Sequence, residues 1–237
     1  MPRLNFSLPI AVLLLLTNGL LAQNKKLPPN EILTGRSNAA TQSFVIEAKK
    51  DQVISLEIKQ NGIDIETKLF SPENSLLAES DNPFSEQDTE RVFVIADETG
   101  NYRLEIKSKF PDEKGTFNLK LNDLHLATAN DFKRAEAEKL FSKAQILRTT
   151  GKTADRKAAL QMFEQSLALW QEAKDEFGEI RTLINVSYLN RILGNNEKSA
   201  ELANLILKSP NLPEYTTYKA DALYQIAQTY SASSKMS

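Results

Sequence analysis

Two different periodicities divide the chain. Over residues 43–126, apolar and polar side chains alternate, many of them β-branched or aromatic, and turn-forming clusters such as Asn61-Gly62 separate the runs. In the run NYRLEIKS, alternation places Tyr102, Leu104 and Ile106 on one face and charged residues on the other. About seven such strands, spaced roughly ten residues apart, predict an antiparallel, jelly-roll-like β-sandwich over residues 41–126.

From residue 127 the apolar period becomes helical. Leu140, Ala144 and Leu147 recur at the spacing i, i+4, i+7, and further stripes of this kind follow. Thr128-x-x-Asp131 resembles a helix-capping box, and glycines occur where helices should end. These signals predict five helices, at about 129–149, 155–173, 177–193, 196–208 and 214–233.

The helical half also contains an internal repeat. An offset of 40 residues aligns Phe163 with Ala203 and Leu183 with Leu223. Three sets of residues share one spacing, in which the second residue follows the first by three positions and the third follows the second by four: Ala144/Leu147/Gly151, Ser187/Asn190/Gly194 and Ala227/Tyr230/Ser234. This pattern resembles the tetratricopeptide repeat. The resemblance implies that residues 127–237 form two helical hairpins plus a terminal helix, and that the chain is a two-domain α+β protein.

The N-terminus has the pattern of an export signal. The apolar run LPIAVLLLL spans residues 8–16, after the single charge of Arg3, and Leu20-Leu21-Ala22 follows. A membrane-spanning helix needs about 20 apolar residues. The pattern therefore predicts a signal peptide over residues 1–22, cleaved after about Ala22, with a retained anchor as the alternative. Residues 23–40 would then be a linker, and the mature protein would be secreted or periplasmic.

Composition excludes several classes of chemistry. The chain has no cysteine and a single histidine, His125, so thiol nucleophiles, Cys/His metal clusters and most Ser-His-acid triads are excluded. A net charge of −2 gives no reason to expect a nucleic-acid partner. We find no glycine-rich phosphate loop and no nucleophile elbow. The sequence therefore predicts a non-enzymatic protein without a cofactor.

The order of the modules resembles the N-terminal part of bacterial secreted tetratricopeptide-repeat proteins. The phrases GIDIETKLFSPENSLLAESDN, ETGNYRLEIKS, LHLATANDFKRAEAEKLF and ALQMFEQSLALWQEAKDEFGE carry the resemblance. In that family a sandwich similar to the bacterial pre-peptidase C-terminal domain precedes the repeats, and many members continue into a caspase-like CHAT peptidase domain. We expect this chain to lack the peptidase, because it has no cysteine nucleophile and no segment left for such a domain. A truncated or accessory component of a CHAT-type peptidase system is one alternative.

The resemblance also implies a binding surface. In such repeats the first helices of successive units line a concave groove. In this register the partner-binding residues are Arg148, Arg181, Tyr188, Arg191, Tyr224 and Gln228. Arginine binds carboxylates and tyrosine offers rigid contact area, so an acidic or aromatic peptide or protein segment is the expected partner. The alternative is that the arginines are solvated or pair with Glu138 and Asp221.

An acidic loop between two predicted strands is the second candidate site. It contains Asp81, Glu86, Asp88 and Glu90, whose carboxylates could hold calcium. The loop lacks the Asp-x-Asp-x-Asp-Gly spacing, so a solvated loop is the simpler interpretation. In the alternative function, the sandwich binds calcium or a glycan at the cell surface, and the helices are a spacer or a dimerisation element.

Overall fold

The computed structural model describes residues 25–36, 40–80, 89–110, 112, 114–122, 124–209 and 216–234. The predicted signal peptide and the metal candidates Asp81, Glu86 and Asp88 lie outside these residues. Nine strands and five helices occur within the described part of the chain. The strands are β1 Lys25–Lys26, β2 Ile32–Arg36, β3 Gln42–Ala48, β4 Val53–Asn61, β5 Ile65–Phe70, β6 Leu76–Ser80, β7 Thr89–Ile95, β8 Gly100–Ser108 and β9 Thr116–Leu121.

The strands form two sheets that face each other as a β-sandwich, which confirms that prediction. One sheet has the order β1-β3-β8-β5-β6 and the other β2-β9-β4-β7. Every strand pair is antiparallel except β1 with β3, where Lys25 lies opposite Phe44 in a parallel pair. The prediction of a fully antiparallel sandwich is therefore corrected at this edge. Parallel pairing is possible there because the chain crosses to β2 in the other sheet before it enters β3.

Strands β1 and β2 lie within residues 23–40, which the sequence predicts as a linker. The pattern gives little sign of them, because β1 has only two residues and the sole buried position of β2 is Gly35. Gly35 lies directly under Phe117 of β9, and a Cβ atom there would be 2.1 Å from the ring. A glycine in this position thus allows β2 to pair closely with β9.

The alternating residues of β8 confirm the predicted buried face. Tyr102, Leu104 and Ile106 are at most 1% exposed and pack in the sandwich core. The Tyr102 hydroxyl donates to the carbonyl oxygen of Glu98 at 2.8 Å and accepts from the backbone N–H of the same residue at 3.2 Å. Burial raises the pKa of Tyr102 to about 12.

The five predicted helices are observed, with ends that differ from the prediction by two residues or fewer. They are α1 Ala129–Thr149, α2 Thr153–Ala173, α3 Glu176–Ile192, α4 Asn196–Leu207 and α5 Thr216–Ser234. The capping box at the start of α1 is confirmed, since Thr128 and Asp131 exchange side-chain and backbone hydrogen bonds. Each helix packs on the next, and α3 also packs on α5.

Small buried residues bring the paired helices into close contact. The Ser166 hydroxyl of α2 donates to the Ala137 carbonyl oxygen of α1 at 2.8 Å. In the same way, the Ser187 hydroxyl of α3 donates to the Ser199 carbonyl oxygen of α4 at 2.9 Å. Both serines are 0% exposed, so each hydroxyl is satisfied by the neighbouring helix within an apolar core.

The chain passes from the sandwich to the helices without a free linker. Val53 N–H donates to the His125 carbonyl oxygen at 2.9 Å, and Ala127 N–H donates to the Asp51 carbonyl oxygen at 2.8 Å. Helix α1 begins two residues later and packs against β7 and β6. This arrangement holds the sandwich and the helical array side by side.

Candidate functional site

A cleft of about 870 Å³ lies between the sandwich and the helices. One wall consists of residues from α1, α3 and α5, and the other of residues from β6 and β7. Apolar side chains line much of it, among them Phe93, Phe132, Phe141, Ile146 and Tyr218. Phe132 is 56% exposed and Ile146 is 66% exposed, so this side of α1 presents apolar surface to solvent.

The sandwich wall of the cleft consists of two sheet edges. β6 is the last strand of one sheet and β7 is the last strand of the other. An edge strand presents backbone N–H and C=O groups that no neighbouring strand of its own sheet uses.

Three of the predicted partner-binding residues lie close together, outside the residues that line the cleft. The guanidinium carbons of Arg148 and Arg191 are each 5.5 Å from the ring centroid of Tyr188, and we call these three residues the arginine–tyrosine cluster. Arg148 Nε donates to Gln145 Oε1 at 2.9 Å, and Gln145 lines the cleft. Arg191 Nε donates to Gln225 Oε1 at 2.8 Å, which ties α3 to α5. Burial lowers the pKa of Arg148 from its usual value, and the nearby Tyr188 partly opposes the shift.

Arg181 occupies a different environment from the cluster. Arg181 is 7% exposed and donates a hydrogen bond to Glu138, which is also buried. Its guanidinium carbon lies 4.1 Å from the ring centroid of Phe141 and 5.3 Å from that of Trp170. Pairing with Glu138 is the alternative that the sequence leaves open for this residue. Arg181 lines the inner wall of the cleft, and a role in binding a partner stays a prediction.

The two remaining predicted residues lie on α5. Tyr224 is 55% exposed and Gln228 is half-buried. The α5 residue that contacts the arginine–tyrosine cluster is instead Gln225, which the sequence analysis missed. Its position, three after Ala222 on the buried face of α5, could have indicated that it points toward α3.

Glu90 is the only metal candidate within the described residues. It is 1% exposed, accepts from the Ser80 hydroxyl at 2.5 Å and from the Gln60 side-chain amide at 3.2 Å. Across the described segments, no group of three or more His, Cys, Asp or Glu residues could hold a metal ion. A calcium site that includes Asp81, Glu86 and Asp88 stays a prediction.

A second cavity, of about 200 Å³, lies where the sandwich meets helices α1, α2 and α3, and we call it the junction cavity. Three arginines from three elements line it, and each has a neighbouring carboxylate. Arg91 of β7 is 3.2 Å from Glu57, Arg134 of α1 is 3.3 Å from Asp175, and Arg181 of α3 donates to Glu138.

Stacking joins the two halves of the protein at this cavity. The guanidinium carbon of Arg91, on the sandwich, lies 3.6 Å from the ring centroid of Phe177, on α3. The Phe177 ring in turn makes an edge-on contact with Tyr218 of α5, at 5.8 Å between centroids. A cation over an aromatic face is attractive, so the contact stabilises this arrangement.

Comparison with solved structures finds similar folds at low identity. The pre-peptidase C-terminal domain of collagenase from Bacillus anthracis is 14% identical, with a TM-score of 0.37, over 42% of this chain and 95% of that one. PliG from Aeromonas hydrophila, a periplasmic inhibitor of g-type lysozyme, is 11% identical, with a TM-score of 0.32, over 41% of this chain and 96% of that one. The CBM51-2 and INT domains of Clostridium perfringens ZmpB, solved with GlcNAc, are 10% identical, with a TM-score of 0.29, over 70% of this chain and 42% of that one. At these TM-scores the likenesses support no conclusion about function.

No protein-family model matches the sequence, and no curated protein matches it. Within the part of the chain that the structure describes, no helix is both long and apolar enough to cross a bilayer.

Proposed function

We propose that this chain is an exported, non-enzymatic binding protein. Its helices act as a tetratricopeptide-like array beside a jelly-roll-like sandwich, and the cleft between them takes a peptide or protein segment. The observation that supports this most is the position of α1 and α3, the first helices of the two predicted hairpins, and of α5, the predicted terminal helix, along one wall of the cleft. Export rests on the signal-peptide pattern of residues 1–22.

The cleft combines the two kinds of contact that peptide recognition needs. Apolar side chains such as Phe93, Phe132 and Ile146 offer surface to a partner's apolar residues. Next to Gln145, which lines the cleft, Arg148 and Arg191 each place a guanidinium carbon 5.5 Å from the centroid of the Tyr188 ring. A carboxylate between them would make charge-assisted hydrogen bonds, which are stronger than neutral ones. We therefore expect a segment with an acidic residue among apolar ones.

Selection from a displayed library of random peptides, with the full chain as bait, tests the proposal. The double variant Arg148→Gln/Arg191→Gln removes both charges from the cluster. Arg36→Gln is the control, because Arg36 is exposed on β2, a strand outside the cleft lining. We expect the selected peptides to share an acidic residue and to bind the double variant at least about tenfold more weakly, with the control unchanged. The cleft assignment is wrong if the peptides lack acidic residues, or if they bind the double variant as well as the parent.

The proposed export has its own test. We expect a chain produced with its N-terminus intact to be recovered outside the cytoplasm, with Gln23 as its first residue. Recovery from the cytoplasm with Met1 retained would contradict export, and it would leave the peptide-binding result unaffected.

A further inference from the structure

Four buried N–H donors lining the junction cavity lack an acceptor. They are Arg91 Nε of β7, Arg134 Nε of α1, Trp170 Nε1 of α2 and Arg181 Nε of α3, and none of the described residues accepts a hydrogen bond from them. Trp170 is 3% exposed and Arg181 is 7% exposed. Native proteins rarely leave buried N–H groups without acceptors, so four in one cavity of about 200 Å³ indicate a place for an acceptor.

We propose that the junction cavity binds a small carboxylate that has an apolar or aromatic body. The protein's own carboxylates at the cavity, Glu57, Glu138 and Asp175, each have an arginine neighbour, but none accepts a hydrogen bond from the unpaired donors, so a bound ligand or water supplies the acceptor atoms. The three arginines and three carboxylates balance in charge, so the attraction for a carboxylate comes from the unpaired N–H donors and not from a net positive charge.

The aromatic side chains that line the cavity favour an apolar or aromatic body on the ligand. Phe93, Trp170 and Phe177 contribute aromatic surface. An engineered cavity of about 150 Å³ in another protein holds benzene, so a space of about 200 Å³ can accept one ring with a short acidic group. Gly178 maintains this geometry, because a Cβ atom there would be 2.3 Å from the Trp170 ring and would push α2 and α3 apart.

The carboxylate could belong to a free small molecule or to the C-terminus of a peptide bound in the neighbouring cleft. Both sources are open because Arg91, Phe93, Glu138 and Arg181 line the cavity and the cleft alike. A free small carboxylate would bind here whether or not the cleft takes a peptide, whereas the peptide C-terminus as a source rests on the proposed function.

Trp170 is the only tryptophan of the chain, so its fluorescence reports on the cavity directly. The probes are phenylacetate, the neutral analogue 2-phenylethanol, and two peptides that end in phenylalanine, one with a free C-terminal carboxylate and one amidated. We expect phenylacetate, the free-acid peptide or both to shift the Trp170 emission saturably and to raise the unfolding temperature, whereas the two neutral probes do neither. The response of one carboxylate and not the other identifies the source.

Variants separate this site from nonspecific binding. Arg91→Gln removes a donor from the half-exposed side of the cavity and should weaken binding at least about tenfold. Trp170→Phe keeps an aromatic side chain, although a smaller one, and removes the indole N–H, and binding is then followed by the unfolding temperature. Arg156→Gln is the control, because Arg156 Nε is also buried without an acceptor but lies outside the cavity. Equal binding of the neutral probes, no saturable response to any carboxylate, or undiminished binding by Arg91→Gln would overturn the proposal.

Discussion

Removing the charge of Glu138 should destabilise the helical array, because it leaves Arg181 buried without its partner. Glu138 is 8% exposed and Arg181 is 7% exposed, so neither charge is well solvated. Breaking a buried ion pair by removing one partner costs about 3–5 kcal/mol. In Glu138→Gln the amide oxygen can still accept one hydrogen bond from Arg181. We therefore expect the lower end, a loss of about 3 kcal/mol in the free energy of unfolding.

Urea unfolding followed by Trp170 fluorescence measures this loss, since Trp170 lies 5.3 Å from the Arg181 guanidinium carbon. Arg181→Met is the companion variant, because it replaces the cation with an apolar chain of similar length. The double variant Glu138→Gln/Arg181→Met leaves no unpaired charge. Its loss in the free energy of unfolding should be smaller than the sum of the two single losses by at least about 1 kcal/mol. A Glu138→Gln loss below about 0.5 kcal/mol, or additive single losses, would refute the interpretation of a coupled buried pair.

Three further predictions concern packing and pH. Gly178→Ala places a Cβ atom 2.3 Å from the Trp170 ring and should cost about 1–3 kcal/mol in urea unfolding, whereas a cost near zero would contradict the close packing. The pKa of Tyr102 is raised to about 12 from 10.0. The protonated hydroxyl therefore contributes its full share to the free energy of unfolding below pH 10, and this contribution is lost as the pH rises toward 12. In Tyr102→Phe the free energy of unfolding should therefore decrease less between pH 10 and pH 12 than it does in the parent. An equal decrease in both proteins would contradict this prediction. Burial opposes the ionisation of Asp131, but hydrogen bonds from Thr128 outweigh this effect and lower the pKa of its carboxyl group. The ionised carboxylate therefore stabilises the fold above the usual pKa of 3.8, and this stabilisation is lost as the pH falls through the lowered pKa. Asp131→Asn should reduce stability at neutral pH by about 1 kcal/mol and remove that acid dependence, and an acid dependence equal to the parent's would contradict the capping role.

The sequence predicted the elements with clear periodicity and missed those without it. Five helices and the central strands follow from apolar spacing and capping residues, because each buries a regular stripe or face. Strand β2 has one buried residue, Gly35, and so has no alternation to detect. The parallel pairing of β1 depends on how the chain crosses between the sheets, which no local pattern encodes.

The same limit applies to the sites. Helical register brought Arg148, Tyr188 and Arg191 into one predicted surface, and the structure places them together. Register alone could not show that Arg181 is buried against Glu138, since that depends on how α1 and α3 approach each other. The junction cavity was missed entirely. Its residues come from distant parts of the chain, and only the docking of the sandwich on the helices brings them together.

A double-mutant cycle across the cleft tests the central claim most directly. It uses one peptide selected on the full chain, the same peptide with its acidic residue changed to the matching amide, the parent chain and Arg148→Gln/Arg191→Gln. If the arginine–tyrosine cluster holds the peptide's carboxylate, the two changes should be coupled by at least about 1 kcal/mol, so that the amide peptide binds both chains alike. Additive losses of binding free energy would show that the acidic residue is recognised elsewhere.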